Sequence, residues 1–418
     1  YPTDISSNEY TRITKDILLN YNVDIVHIRH LIFHTFDLPR IAKRLNIPVV
    51  LSFHDFYFIC PTIHLLDEKK EYCKGNCTET TGECPQPYDF SKKIMNLKHK
   101  WIKKWRVEVE EMLIFVDCFV TTSNYSKNRY CKIFPTLLDK NFHVIPHGRD
   151  FSPKRLHESI TKKTDRKIKI LCPGNLAYFK GTSFISDLME KDHEKRIEVH
   201  TLGNLSKEAR SMLKGKTIDH GSYRREEFDL KVAKIKPDFV GVFSIWPETY
   251  CHVMTESWAS GIPILANKIG TIAERIKEKG GGWLVDCRNT ESVIKKIYSL
   301  AKDDSEYSKH KELSNLSGIK SLYKMAFDYN SIYQKCFFSK LKFKKIITNA
   351  SVQNLKFLKI GVIGNNLNAS YFLRIHNNIF NKSLNYLTTK LIIQPEDFIK
   401  YSKNYNFDLI LVQRNSIN

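Results

Sequence analysis

The stretch PETYCHVMTESWASGIPILANKIGTIAERI, Pro247–Ile276, decides how the rest of the chain is read. It follows a short apolar run, Phe239–Phe243, with the length and composition of a buried strand. A loop carrying Glu248 comes next, then a helix expected to begin near Thr249 or Tyr250 and to stop at Gly261 and Pro263. Pro263–Ala266 reads as a further strand, after which Gly270-Thr271 opens another helix with Glu274 in its first turn. The first N–H groups of a helix have no partner within it and are positively polarised, so the end near Tyr250 suits an anionic phosphate. Glu256, about two turns in, is placed to accept hydrogen bonds from ribose hydroxyls. Acidic residues also suit the first turn of any helix, so the pattern alone leaves an ordinary α/β reading open.

The same alternation extends in both directions. Strand candidates are Val23–Arg29, Val49–Phe53, Cys118–Thr121 and His143–Ile145, then Ile168–Cys172, Glu198–Leu202, Phe239–Phe243, Pro263–Ala266 and Gly282–Val285. Helical segments lie near 7–20, 37–45, 92–114, 183–190, 226–234, 250–260, 271–279 and 290–302, and 304–340 also reads as helical. Near-continuous apolar strands separated by amphipathic helices indicate doubly wound parallel sheets. The pattern occurs twice, broken near Pro146–Lys163, so two Rossmann-like domains facing a cleft are expected.

Of the 418 residues, 66 are Lys or Arg and 45 Asp or Glu, a formal net charge of +21 that invites a nucleic-acid partner. The excess is spread out: net +3 over residues 1–150, +10 over 151–340 and +8 over the last 78. Lys outnumbers Arg 49 to 17, the balance of a solvated surface more than of an Arg-built phosphate reader, so no nucleic acid is expected. No apolar run approaches the roughly 18 residues of a membrane span. The chain opens at Tyr1 without a signal peptide, which reads as a segment of a longer polypeptide. Ten scattered cysteines, among them Cys118, Cys172 and Cys251 in apolar surroundings, suit a reducing, cytoplasmic location.

Glu248 and Glu256 are spaced Glu-x7-Glu and followed by GIPILANKIGTIAE, which resembles the retaining, nucleotide-sugar-dependent glycosyltransferases of family 4 (group 1), enzymes of the GT-B fold. Further segments fall in the family's order. GNLAYFKG (Gly174–Gly181) resembles its phosphate loop, VIPHG (Val144–Gly148) its hinge, and LSFHD (Leu51–Asp55) the strand that ends in a functional histidine. TTSNYSK (Thr121–Lys127) and the helical FDYNSIYQKCF (Phe327–Phe337) complete the set, and the likeness covers about residues 20–340. It implies that Glu256 holds the donor ribose, that Glu248 lies by the donor sugar or its phosphates, and that Lys180 neutralises the diphosphate leaving group. Gly174, Asn175, Gly181, Thr249 and Tyr250 would complete the donor-binding set. His54 would contact a hydroxyl of the donor sugar. No metal would be required for leaving-group departure. Two positions depart from the family: Asn175 stands where it often has Arg, and His147 where the hinge usually has Asn.

Cys60, Cys73, Cys77 and Cys84 fall within 25 residues and suit a structural tetrahedral zinc ion, with free thiols as the plainer reading. In Ser91–Phe115 a run of Lys and Arg interleaves with Ile94, Leu97, Trp101, Ile102 and Trp105 at helical spacing. Residues 92–106 are thus a candidate for peripheral membrane contact, against a surface helix packing its apolar stripe inward.

The expected organisation is an N-terminal, acceptor-side domain over 1–149, lacking its first strand and carrying a Cys-rich insert at 60–87. A donor domain over 150–326, a crossover helix at 327–340 and the start of a further α/β domain over 341–418 follow. KIGVIGNN (Lys359–Asn366) reads as the opening of a second, truncated transferase-like unit. The expected function is sugar transfer from a UDP- or GDP-linked donor to a saccharide or lipid-linked acceptor in surface-polysaccharide or glycoconjugate synthesis, at the inner face of the membrane if the basic helix binds there. The competing readings are a catalytically silent sugar-nucleotide-binding module and a sugar-nucleotide epimerase or glycogen-synthase-like enzyme.

Overall fold

The computed structural model describes residues 5–67, 69–77, 99–151 and 166–345, and three further strands at 360–363, 390–393 and 409–412. The chain divides into two compact units. The first comprises residues 1–68, 74–149 and 320–418; the second comprises 69–73 and 150–319.

In the first unit the order is α1 (Asn8–Asn20), β1 (Ile25–Ile28), α2 (Asp37–Arg44), β2 (Val49–Phe53), α3 (His99–Leu113), β3 (Cys118–Thr121), α4 (Asn124–Ile133) and β4 (Phe142–Val144). In the second it is β5 (Ile168–Pro173), α5 (Thr182–Lys191), β6 (Ile197–Leu202), α6 (Lys207–Leu213), β7 (Ile218–Asp219), α7 (Phe228–Ile235) and β8 (Phe239–Val242). The second unit continues with α8 (His252–Ala259), β9 (Ile264–Asn267), α9 (Gly270–Lys279), β10 (Gly282–Val285), α10 (Thr290–Lys302) and α11 (Asp304–Leu313). The chain then returns to the first unit through α12 (Leu322–Lys345), β11 (Ile360–Ile363), β12 (Lys390–Ile393) and β13 (Leu409–Val412).

Both sheets are parallel throughout. The second unit's sheet has the order β10-β9-β8-β5-β6-β7. Its strands other than the exposed edge strand β7 are largely buried on both faces, and the two-residue alternation sorts their side chains. Ile168, Ile170 and Cys172 of β5 join a cluster with Phe184, Leu188 and Ile297 of α5 and α10, while Leu171 joins Val232 and Met254 of α7 and α8 on the other face. The chain leaves β5 toward β6 on one side and later places β8 on the other. The carboxyl ends of β5 and β8 therefore flank a topological switch point, the place where open α/β sheets bind ligands.

The first unit's sheet has the order β12-β11-β13-β1-β2-β3-β4. The tail thus differs from its expectation as a separate domain: β13 pairs in parallel register with β1, Ile25 opposite Leu409 and Ile28 opposite Val412, and β11 and β12 extend the sheet beyond it. Without β13, β1 would offer a bare edge of N–H and C=O groups on its side away from β2, and the apolar run Leu409–Val412 satisfies it. α12 packs on the same unit, placing Leu322, Met325, Tyr329, Ile332 and Tyr333 against Ile25, Val50, Val120 and Ile145. Residues 320–326, expected in the donor domain, therefore belong to the first unit. At its edge the backbone N–H of Arg149 donates to the Lys320 carbonyl (2.8 Å), joining the two stretches where the chain passes between units.

The expected helix over 304–340 is two helices, interrupted by the Ser-Asn and Gly318 stretch, where Gly318 has φ +74°. α4 and α6 are additional helices with short, polar, weakly periodic sequences; Ser123 and Ser206 cap them. In α3 Ile102 and Trp105, two members of the candidate membrane stripe, are buried in the first unit, the inward-packing alternative, and so are Val109 and Met112. The Trp105 indole N–H donates to the Phe58 carbonyl (3.1 Å), and the ring packs against Phe36 and Tyr57. Ile94, Leu97 and Lys92–Lys98 lie outside the described residues. No helix among the described residues is long and apolar enough to cross a membrane.

Gly148, the end of VIPHG, lies against the start of α12. A Cβ there would stand 2.2 Å from the Ser321 carbonyl oxygen and 2.9 Å from Met325 Cβ, and its N–H points to Met325 Sδ at 3.0 Å. Gly148→Ala should displace the start of α12 and lower stability by about 1–3 kcal/mol, measured as a fall in the urea midpoint of the first unit's transition.

Candidate functional site

The second unit's site begins at the loop after β5. Gly174 has φ +102°, and a single turn, Tyr178–Lys180, leads to Gly181 with φ +81° at the start of α5. A Cβ on Gly181 would lie 2.1 Å from the Phe243 carbonyl oxygen, so glycine is what allows this loop to press against the end of β8. The Ile245 N–H donates to the Phe179 carbonyl (3.0 Å) and fixes the two loops to each other.

That approach brings Lys180 to Glu248. The lysine Nζ donates to Glu248 Oε1 at 2.6 Å, and the Ser244 hydroxyl donates to the same oxygen. The carboxylate side chain is only 6% exposed and the lysine side chain 27%. Burial works against both charges, but each outweighs it for the other. Burial pulls the Lys180 pKa down, and the Glu248 charge, with a smaller contribution from Cys251, leaves it raised. Burial pushes Glu248 up, and Lys180 together with hydrogen bonds from Lys180, Ser244 and Cys251 leaves it lowered. Both groups are therefore ionised at neutral pH.

The loop that carries Glu248 is strained. Glu248 (φ +47°) and Cys251 (φ +67°) are non-glycine residues in the left-handed region, at an expected cost of roughly 1–3 kcal/mol each. Arg275 of α9 holds the loop in place. Its Nη1 donates to the carbonyls of Tyr250 and Cys251, both at 2.8 Å, its Nη2 donates to Thr255 Oγ1 at 2.8 Å, and its guanidinium stacks 4.1 Å from the Tyr250 ring centroid. Asn267 donates to the Ser244 carbonyl (2.9 Å), and the Thr271 N–H donates to the Pro247 carbonyl (2.9 Å). Gly270 permits that last contact, because its Cβ would lie 2.3 Å from Pro247.

α8 begins at His252, later than expected, because Cys251 in the left-handed conformation cannot continue a helix backward. The N–H groups that open it are thus those next to the Lys180–Glu248 pair, and Cys251 makes no side-chain cap to them. Thr249, Tyr250 and Glu256 are all buried, and the Tyr223 hydroxyl donates to Glu256 Oε2 at 3.3 Å. Asn175 is exposed. Arg224 is turned to Glu227 (2.8 Å) at the surface.

In the first unit His54 follows β2. It is 4% exposed, and its ring lies nearly parallel to that of His147, 5.5 Å between centroids. Asp55 pairs with His30 Nε2 (2.9 Å) and accepts the Tyr57 N–H (2.9 Å). The expected zinc ligands do not converge among the described residues, where no group of three His, Cys, Asp or Glu side chains could hold a metal ion. Cys60 contacts Thr62 Oγ1 (3.1 Å), Cys77 receives Arg106 Nη2 at 3.7 Å, and Cys84 lies outside the described residues.

Arg275, Tyr223, Ser244 and Asn267 were not singled out from the sequence. Arg275 stands beside the flagged Glu274, but two of its three hydrogen bonds go to backbone carbonyls, which carry no sequence signal.

Sequence profiles of two families match the chain: Glycosyltransferase Family 4 over residues 7–152 and Glycosyl transferases group 1 over residues 154–315. No curated protein sequence matches it. Similar solved structures include sucrose-phosphate synthase from Thermosynechococcus elongatus, 13% identical, with 79% of this chain and 78% of that one covered and a TM-score of 0.55. Anabaena HepE in complex with UDP is 13% identical over 77% of this chain and 82% of its own, with a TM-score of 0.52. A glycosyltransferase from Rickettsia africae is 17% identical over 79% and 84%, with a TM-score of 0.50. At these identities the likeness speaks for the fold alone, and that fold is GT-B.

Two outcomes follow from the pair. Glu248→Gln, which leaves Lys180 facing a neutral partner, should lower stability by about 3 kcal/mol in urea unfolding, with Lys180→Met/Glu248→Gln recovering part of the loss. The pH dependence has a defined sign. With Glu248 lowered from 4.5 and Lys180 raised from 10.5, the pair's contribution is fully present between those ordinary values. It is lost as pH falls through the lowered Glu248 pKa or rises through the raised Lys180 pKa. The wild-type minus double-variant stability difference, measured from pH 5 to pH 9, should be flat.

Proposed function

The chain belongs to the family 4, group 1 glycosyltransferases, and from that premise we propose that it moves a sugar, with retention at the anomeric carbon, from a nucleoside diphosphate donor to a saccharide or lipid-linked acceptor. The observation that carries this is the Lys180–Glu248 pair at the switch point of the second sheet, beside the amides that open α8.

In the reaction the bond from the sugar C1 to the diphosphate oxygen breaks, and its electron pair leaves with the diphosphate. The acceptor hydroxyl bonds to C1 from the face the diphosphate leaves and passes its proton to the departing diphosphate oxygen. Negative charge thus accumulates on the leaving diphosphate, where Lys180 and the α8 amides supply preorganised positive charge. Glu248, held ionised by Lys180 and Ser244, acts as an acceptor that orients Lys180 and a donor-sugar hydroxyl, and not as an acid. Glu256 takes the ribose hydroxyls, its carboxylate oriented by Tyr223. HepE, whose structure holds UDP, favours a uridine nucleotide, with guanosine as the alternative.

Calorimetric titration with UDP and GDP, alongside donor-hydrolysis and transfer assays, tests this. Glu256→Gln should weaken nucleotide binding by roughly 10–100-fold, the worth of one or two hydrogen bonds to a charged group. Lys180→Met should lower kcat by roughly 10²–10³-fold, a loss of leaving-group stabilisation. Nucleotide binding with no turnover in any donor and acceptor combination would instead favour the silent binding module.

A further inference from the structure

The cation at the end of β1 is not used by any step above. Arg29 follows Ile28 directly and is 5% exposed. Its Nη1 donates to the Tyr329 hydroxyl at 3.4 Å, and the guanidinium lies 5.6 Å from the same ring's centroid. Its Nε and Nη2 are buried and have no hydrogen-bond partner. Among the described residues no carboxylate pairs with it.

Those two nitrogens are not an arbitrary pair. Nε and Nη2 form the side-on edge of the guanidinium, from which two parallel N–H bonds meet the two oxygens of a carboxylate or phosphate. A buried guanidinium with that edge unpaired is costly in a folded chain, since water is excluded and no anion replaces it. The neighbouring polar groups offer it no charge. His27, whose ring nitrogens are engaged by Tyr333 (2.7 Å) and Ser52 (2.7 Å), is held neutral by burial and by Arg29 itself. Asp55, just beyond β2, is taken by His30 (2.9 Å). Arg29, His30 and His54 follow the carboxyl ends of β1 and β2, neighbours in the parallel sheet, where such sheets bind ligands.

We propose that Arg29 is an oxyanion-recognition site for the acceptor. The acceptor substrate then carries a carboxylate or a phosphate, as in an acidic sugar or a sugar or lipid phosphate, clamped bidentately on the Nε–Nη2 edge. This rests on the glycosyltransferase reading for the role of the ligand, while the site itself rests on Arg29.

Thermal-shift titrations at fixed ionic strength, with UDP present throughout, test it with three probes: glucuronate, glucose 1-phosphate and neutral glucose. Wild type should be stabilised by at least one of the two anions and not by glucose; the anion with the larger shift tells a carboxylate from a phosphate ligand. Arg29→Met should lose the anion response and keep the UDP response. Arg29→Lys, which keeps the charge but not the fork, should bind the effective anion roughly tenfold more weakly than wild type. Equal responses to glucose and the anions, no response to either anion, or an anion response that survives in Arg29→Met would overturn the proposal. A UDP response absent from wild type would instead count against the glycosyltransferase reading, so the two failures are distinguishable.

Discussion

A carboxylate as buried as Glu248 is tolerable in this fold only because Lys180 reaches it, and much of the second unit's local geometry serves that meeting. Gly181 lets the loop after β5 lie on the end of β8. Glu248 and Cys251 accept left-handed backbone so that the loop can double back into α8. Arg275 and Asn267 absorb the carbonyls that this turn leaves exposed, and Gly270 lets Pro247 come close to α9. Two non-glycine residues in the left-handed region, Glu248 and Cys251, thus fall within four positions of one loop at the switch point. Such concentration is expected where a fold holds charge for chemistry rather than for stability.

Most of the fold is legible in the sequence, for a physical reason. Parallel strands buried on both faces are short, continuous apolar runs, and Val49–Phe53, Cys118–Thr121 and Gly282–Val285 have the expected bounds. What escaped was either short and polar, as α6 is, or set by tertiary pairing. Nothing within Leu409–Val412 says that its partner is β1, more than three hundred residues earlier. The stripe of Ile102 and Trp105 is equally compatible with a membrane surface and a protein core. Only the Phe36 and Tyr57 rings packed against it decide between them.

The site was legible in its side chains and not in its backbone. Glu248, Glu256 and Lys180 were evident from spacing and resemblance, and the contact between Lys180 and Glu248 unites residues 68 apart in the chain. Helix α8 starts later than its sequence suggests, since the left-handed turn at Cys251 is a property of the loop's closure against Arg275. Arg29 illustrates the complementary case. In sequence it is one polar residue after an apolar strand, and only the count of its partners shows an unsatisfied edge. The second unit thus holds a neutralised buried pair, and the first a buried cation that no described carboxylate meets.

The central claim is that the Lys180–Glu248 pair and the opening of α8 receive a nucleoside diphosphate. A crystal structure of the chain with UDP tests it most directly. The diphosphate should lie within hydrogen-bond distance of Lys180 Nζ and the first amides of α8, with the ribose hydroxyls on Glu256. A nucleotide bound elsewhere, or one whose phosphates leave Lys180 and the α8 amides untouched, would contradict it.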